Sequence, residues 1–459
     1  MPKAKIKHPG LITRKLGGQR LWLMIIITFA LLLVFRVGSF ITLPLINTRV
    51  LTNTNFGKAF GFLDIFSGGA LGRFSVLALG IGPYITATIV TQLLEMDVIP
   101  KLKEWREEGE SGRKKISDLN KYIALGLAFL QALLLTLGIK VQYGNGIIKP
   151  KVADPSFFMF VYLALVATAG TAFSIWLAEK ITAHGVGNGT SLLIVTGILS
   201  AFPEMIMGLV NNLLKEQKTK NSAGKEVITK VTAGNIVLFV ACILLLIGIV
   251  IAVCFMERSQ RKIPVQYANR PAQQAFQGKG DSNIPIKLNT PSVIPVIFAG
   301  TIMSLPTTVV QVSGGDSSTW GKTILNIFSP SKPIGFCVYV VLIVIFCFFY
   351  GFMQINPDNM AKDLQKQNGF IPGVRPGEET ASYISRVLFK VTVLGATYLV
   401  ILASLPIIFG WIFPKTQSLQ LGGTGLIIVV GVAIETVKQL FQKNQDLQYT
   451  GFSRGYIPK

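Results

Sequence analysis

The chain has 459 residues, half of them apolar, and 44 Lys+Arg against 22 Asp+Glu, a formal net charge of +22. Only 14% of its residues are charged, where a soluble domain carries about 25%, so a soluble protein of this composition would lack the polar groups to cover its surface. The apolar content excludes a disordered basic tail, and four cysteines in so long a chain exclude a disulfide-stapled secreted domain. What remains is a polytopic membrane protein, with the +22 to be divided among topology, lipid headgroups and nucleic acid.

Apolar runs of spanning length fall at about 21–43, 74–96, 121–139, 157–178, 190–210, 234–256, 291–311, 334–354, 386–410 and 424–441. The first is too long for a signal-peptide core and lacks a small-residue cleavage site, so it reads as a retained span. Ahead of the second run lies a short segment, 62–71, whose ten residues reach only about 15 Å as a helix. Ser67-Gly68-Gly69-Ala70 also makes it a weak helix. Such a segment is either an interfacial re-entrant turn or a piece held inside protein or a cavity. The second run carries Gly80, Gly82 and Pro83 in its first half, and the proline predicts a distorted helix. Ile81 and Ile85 share a helix face. Thr86, Thr88, Thr91 and Gln92 add polar groups, which suit helix packing or a face lining water. The loops 257–290 and 355–385 are long for connections between spans. Their basic residues serve topology, and their length and Gln, Asn and Pro content suggest hairpins that dock onto something anionic.

Ten spans put both termini on one side. The loops on that side hold 29 Lys/Arg and the opposite loops 13, which places the termini in the cytoplasm. Cys242, Cys254, Cys337 and Cys347 all lie in apolar spans and read as packing residues. His8 and His184 belong to no metal-ligand pattern, so no metal or cofactor is expected. The phosphate-loop likeness at 315–323 has one residue too many between its glycines and lies in an external loop, and the glycosylation pattern at Asn188 faces the cytoplasm; both read as chance matches. Arg36, Glu95 and Glu435 lie near span ends, and no carboxylate lies at mid-span. That argues against an ion-coupled transporter and against an intramembrane hydrolase.

Seven segments in order then carry a resemblance: FSGGALGRFSVLALGIGPYITATIVTQLL at 66–94, EGESGRKKI at 108–116, ITAHGVGNGTSLLI at 181–194, MERSQRKIPVQYANR at 256–270, SVIPVIFAG at 292–300, NGFIPGVRPGEETASYI at 368–384 and GGTGLIIVV at 422–430. The chain resembles the SecY/Sec61-alpha family, channel subunits of the Sec protein translocase, over nearly its whole length. The resemblance implies an all-α polytopic protein. Ten transmembrane helices form two inverted five-helix halves around a central pore, with a short plug helix. The halves would be 1–210, with the plug at about 61–73, and 234–441, joined by an external linker at 211–233 and followed by a cytoplasmic tail at 442–459.

By the same resemblance, the plug comprises Phe62, Leu63, Ile65, Phe66, Ser67, Gly68, Gly69, Leu71 and Arg73. The pore ring falls on Ile81, Ile85, Ile194, Ile297 and Ile428, with Thr190 at a sixth position that is often apolar in the family. The lateral gate would use Thr86, Val90, Gln92, Asn188, Thr301 and Ser304, whose polar members would hold the seam shut weakly. Arg258, Arg261, Lys262 and Arg270 match the basic tip of one docking loop, and Arg375 matches the arginine of the other. Implied partners are the SecE and SecG subunits, the SecA ATPase, the ribosome through its large-subunit RNA and proteins, signal sequences and nascent polypeptides, and membrane lipids. The implied location is the bacterial plasma (inner) membrane. A narrow apolar ring would exclude water and ions, and a plug with few apolar anchors would move cheaply. From topology alone, a secondary transporter is the alternative.

Overall fold

A backbone in hydrocarbon must satisfy its own hydrogen bonds, so long apolar runs become helices. The computed structural model describes residues 11–46, 64, 67–95, 99–143, 157–214, 217–220, 226–229, 233–267, 282–313, 318–413, 416 and 418–453. Among them, nine helices are long and apolar enough to cross a membrane. The expected second span is the exception. Its helix covers only Gly82–Leu94, 13 residues, about 20 Å at 1.5 Å per residue. Residues 68–81 ahead of it are turns. Pro83 does not distort this helix, contrary to expectation; it stands in the first turn, where its missing N–H costs nothing.

In chain order the helices are α1 (Leu11–Gly38), α2 (Gly82–Leu94), α3 (Pro100–Glu107), α4 (Glu110–Tyr143), α5 (Phe157–His184) and α6 (Gly189–Leu213). After a short β1–β2 hairpin (Gln217–Lys220, Glu226–Thr229) come α7 (Ala233–Arg258), the strands β3 (Gln260–Tyr267) and β4 (Ser282–Lys287), α8 (Ile294–Val312) and α9 (Thr319–Phe328). The chain continues through α10 (Pro333–Gln354), α11 (Pro357–Lys366), β5 (Gly369–Phe370), α12 (Glu378–Ile412) and α13 (Ser418–Ser453). His184 closes α5. Large apolar side chains point outward along the most apolar helices: Phe29 is 70% exposed and Phe255 72%. On membrane-spanning helices that surface faces lipid.

The chain folds as two compact units, Met1–Pro203 with Thr308–Ser318 and Val432–Lys459, and Glu204–Thr307 with Thr319–Gly431. In the first unit α2 is braced by α4 and α5, where Ala87, Ala124 and Ile175 are buried together. A second core joins Leu43 and Ile46, Leu71 and Phe74, Ala132 and Leu135 of α4, and Leu163, Ala164 and Ala167 of α5.

In the second unit the loop predicted to form a hairpin does so: β3 and β4 pair antiparallel, Gln260 with Lys287 and Ile263 with Ile284. The pairing puts Arg261 opposite Ile286 and Lys262 opposite Pro285, at the end of the ladder next to α7 and not at a tip. The other loop adds β5, with Gln266 opposite Phe370. The two loops are therefore one three-stranded sheet of order β4-β3-β5, a pairing that sequence spacing did not indicate. Ile263, Val265 and Ile286 of the sheet pack on Ile384, Leu388 and Val391 of α12.

The hairpin root is tied by a buried carboxylate. Glu257, 4% exposed, accepts hydrogen bonds from Asn289 Nδ2 and Ser292 Oγ, each at 3.1 Å. The backbone adds Leu288 N–H to Ser259 C=O at 3.0 Å. Replacing Glu257 by Ala leaves two donors without this acceptor and should cost about 2 kcal/mol. Earlier thermal unfolding of the detergent-solubilised variant, with a smaller shift for Glu257→Gln, would show this.

Candidate functional site

The short segment ahead of α2 is held in the first unit by polar side chains. Asp64 and Ser67 are helical. The Ser67 hydroxyl donates to Asp64 C=O at 2.9 Å and accepts from Leu71 N–H at 3.1 Å. The Asp64 carboxylate accepts from Gly72 N–H at 2.8 Å. Further along, Leu43 N–H donates to Phe74 C=O and Val76 N–H to Ile41 C=O, each at 2.8 Å. This stitches the segment to the chain leaving α1.

Gly68 is the point of closest approach. Its φ is +70°, a conformation open to glycine at little cost. An added Cβ would lie 2.7 Å from Ser200 Oγ and 3.1 Å from Gly197 Cα. Arg36 Nη1 donates to the Gly68 carbonyl at 2.8 Å, and the Arg36 and Arg73 guanidinium groups lie 4.7 and 4.8 Å from the Phe40 ring centre. On the other side a Cβ on Gly80 would meet Ser67 Cα at 3.7 Å. The Ser67-Gly68 turn thus touches Gly80, the neighbour of Ile81, and Gly197, one helical turn from Ile194.

Ile81, Ile85 and Ile194 are all buried in this unit, at 2%, 6% and 4% exposure. Ile81 is the N-cap of α2, and its carbonyl accepts from Ile85 N–H at 3.1 Å. Thr190 is half-buried; its hydroxyl donates to Asn188 Oδ1 at 2.7 Å, and its N–H donates to the same oxygen at 3.1 Å. Asn188 therefore caps α6, a role in addition to the gate position expected for it. In the second unit Ile297 and Ile428 are buried on α8 and α13.

The gate hydroxyls turn inward on their own helices. Thr86 donates to Gly82 C=O at 3.2 Å and Thr301 to Ile297 C=O at 2.8 Å. Ser304 donates to Thr301 C=O at 2.7 Å. Val90 is exposed and Gln92 half-buried.

Leu71, within the expected plug, and Phe74, just after it, are each 2% exposed, so the segment has a buried apolar anchor at its C-terminal end. Burying two such side chains contributes about 1.5–3 kcal/mol each. Phe62, Leu63, Ile65 and Phe66, and Arg270 of the docking loop, lie outside the described residues. Arg258 ends α7. Arg375 is exposed on a loop whose Gly373 and Gly377 have positive φ, and its carbonyl accepts from Thr380 Oγ1 at 2.8 Å. No group of three or more His, Cys, Asp or Glu that could hold a metal occurs among the described residues.

A family model described as SecY matches residues 75–437. The chain belongs to the SecY family. A protein translocase subunit SecY of Halalkalibacterium halodurans is 43% identical over 430 residues, covering 93% of this chain and 96% of the relative. The subunit of the same name from Bacillus licheniformis is 41% identical over 431 residues, covering 94% and 96%. Among solved structures, a protein-conducting channel superposes with a TM-score of 0.62 at 20% identity over 97% of this chain and 96% of that one. A SecY channel structure, described by its plug domain stabilising the closed state and maintaining a membrane seal, gives 0.61 at 21% identity with the same coverage. Sec61 from a canine ribosome-channel complex gives 0.59 at 19% identity, again over 97% and 96%.

The chain is therefore a multi-pass membrane protein of the protein-conducting channel fold and family, and no comparison supports the transporter alternative. Gly68→Val sets a β-branched side chain against Ser200 and Gly197 at positive φ. It should lift the turn and raise ion conductance of the resting channel in planar bilayers. Gly69→Ala, whose Cβ comes no nearer than 4.0 Å to Arg73, should raise it less.

Proposed function

We propose that the chain passes unfolded secretory polypeptides through a constriction supplied by Ile81, Ile85, Ile194, Ile297 and Ile428, closed at rest by the turn at 67–73. The observation that supports this most directly is the seat of Ser67 and Gly68 against the neighbours of Ile81 and Ile194. Branched apolar side chains in a narrow constriction exclude water and ions. They make no specific bond, so an extended chain of any sequence displaces them without a bond to replace. At the sixth position the hydroxyl of Thr190 is engaged by Asn188, which leaves its methyl group for the constriction.

Release of apolar segments into the bilayer uses α2 and α8, with Thr86, Val90, Gln92, Thr301 and Ser304 along the seam. Hydroxyls already bonded within their own helices add little attraction across it, which suits a gate that a signal sequence wedges apart. The sheet β4-β3-β5 receives the partners that deliver the polypeptide, the SecA ATPase or the ribosome, through Arg258, Lys262, Arg270 and Arg375. Exposed cations gain contacts to ribosomal RNA by counterion release. Glu257 links the root of this sheet to the turn that starts α8, one helical turn from Ile297, so docking on the sheet bears on the constriction. SecE and SecG complete the complex. The location is the bacterial plasma membrane, with both termini in the cytoplasm, in keeping with 29 basic residues on that side against 13. The chain itself is a conduit and not an enzyme, and its partners supply the energy.

An arrested secretory chain should crosslink to Cys introduced at Ile81 and at Ile194. A crosslink absent from both positions while translocation continues would place the path elsewhere. Arg375→Glu should slow translocation severalfold in vesicles without reducing the amount of protein inserted; an unchanged rate would remove Arg375 from the docking surface.

A further inference from the structure

The contact between α2 and α4 buries oxygen atoms that have no partner. α4 runs antiparallel to α5, since Lys121 pairs with Glu179 while Ala132 and Leu135 pack with Leu163 and Ala164. α2 runs in the direction of α5: the Val76 carbonyl ahead of it lies against Gly170, and Ala87 packs with Ile175. α2 and α4 are therefore antiparallel, with Ala87 against Ala124. One turn beyond Ala87 stands Thr91, and one turn before Ala124 stands Asn120. The two meet across the contact.

Thr91 is 0% exposed and Asn120 7%, and neither Thr91 Oγ1 nor Asn120 Oδ1 has a hydrogen-bond partner. A buried polar atom left in this way is costly. Glu95 follows Thr91 by one more turn and is 7% exposed. Its side chain leans toward the N-terminus of α2 and that of Asn120 toward the N-terminus of α4, so in antiparallel helices the two converge. Among the described residues no hydrogen bond or ion pair reaches the Glu95 carboxylate.

All three groups offer oxygen lone pairs to one gap. The carboxylate also stands at the C-cap of α2, where the helix dipole opposes a negative charge and favours a positive one. Lys121, in the next position to Asn120, is shared by Asp118 and Glu179 and has no charge to spare. Arg106 of α3 acts on Glu95 electrostatically, from beyond ion-pair distance. A water molecule would satisfy the two neutral oxygens and leave the buried charge unbalanced; a metal cation answers both. One carboxylate among neutral oxygens balances a single positive charge, whereas calcium sites gather more ligands and more carboxylates. Ala87 and Ala124, both 0% exposed, bring the helices close, and a narrow gap suits sodium over the larger potassium.

We propose that Thr91, Glu95 and Asn120 bind a sodium ion between α2 and α4. The bound ion clamps the C-terminal end of α2, the helix that carries Ile85, to α4. The site uses neither the ring nor the plug, so it stands apart from the channel reading.

The test is thermal unfolding of the full-length protein in neutral detergent, with sodium chloride, potassium chloride or N-methylglucamine chloride at one ionic strength and pH. Sodium should raise the unfolding midpoint saturably and slow amide hydrogen exchange at 91–99. At ten times its dissociation constant it should raise the ratio of folded to unfolded protein about tenfold. Glu95→Gln should abolish the sodium response. Thr91→Val removes only an unpartnered hydroxyl, so without sodium it should be as stable as the unaltered protein, and its sodium affinity should be about fivefold weaker. Arg106→Gln removes a like charge and should strengthen sodium binding. An equal response of the unaltered protein to all three salts, or an undiminished response in both Glu95→Gln and Thr91→Val, would overturn the site. A preference for potassium would overturn the assignment to sodium. Stabilisation that follows falling pH and ignores sodium would make Glu95 a protonated donor to Asn120 and overturn the cation. A weaker sodium response in Arg106→Gln would make that arginine the partner of Glu95 and do the same.

Discussion

Every peptide N–H and C=O at membrane depth must find a partner, because hydrocarbon supplies none. The long spans meet this constraint with bonds inside each helix. Residues 68–81 do not, since their glycines and turns keep them out of a helix until Gly82. Many of their bonds close local turns, such as Phe74 N–H to Leu71 C=O and Gly80 N–H to Leu77 C=O, and the rest go outside the segment: Asp64 and Ser67 take N–H groups, Arg36 takes the Gly68 carbonyl, and residues 41–43 bond to 74–76. Bonds to side chains can be exchanged for bonds to something else. A helix interior offers no such exchange.

The second unit solves a different problem with a buried charge. A carboxylate taken out of water is costly unless several donors surround it. Glu257 has two from the far end of the hairpin, so the two ends of the β3-β4 excursion meet at a single group. Ser292, one of the donors, holds φ of +53°, a conformation that a non-glycine residue keeps only when its surroundings fix it. Strand pairing, the buried face on α12 and this carboxylate make sheet, α12 and the start of α8 one block. Surface loops of this length are usually the mobile part of a protein; here their described strands are bound into the core of the unit.

Much of this was legible in the sequence. Apolar runs mark the spans, and the charge bias gives a side to each loop. The glycines and Pro83 mark the second span as irregular, although they stop the helix before it starts instead of bending it. The hairpin at 257–290 followed from length and composition, and its union with β5 did not, because two residues of strand leave no periodicity to read. The anchoring of Leu71 and Phe74 was hidden for another reason. Both belong to an apolar stretch that reads equally as lipid-facing or core, and only packing against Leu43, Leu135 and Leu163 decides between them. Arg36 was visible as an ionisable residue near a span end, but its partner is 32 residues away, beyond any local pattern.

Magnitudes then say where the closed turn is held least. The Arg36 bond to the Gly68 carbonyl, charge-assisted and partly buried, is worth about 1.5–3 kcal/mol. The buried side chains of Leu71 and Phe74 together are worth about 3–6 kcal/mol. If the turn closes the path as proposed, a polypeptide pressing on Ser67-Gly68 works against the smaller of these, and its own carbonyl groups could replace Gly68 as acceptor for Arg36. The larger, apolar hold has no such substitute, because water or polar backbone against Leu71 and Phe74 would forfeit their burial. The turn is therefore weakest where it touches the neighbours of Ile81 and Ile194 and firmest at 71–74, with Gly69 and Gly72 between the two.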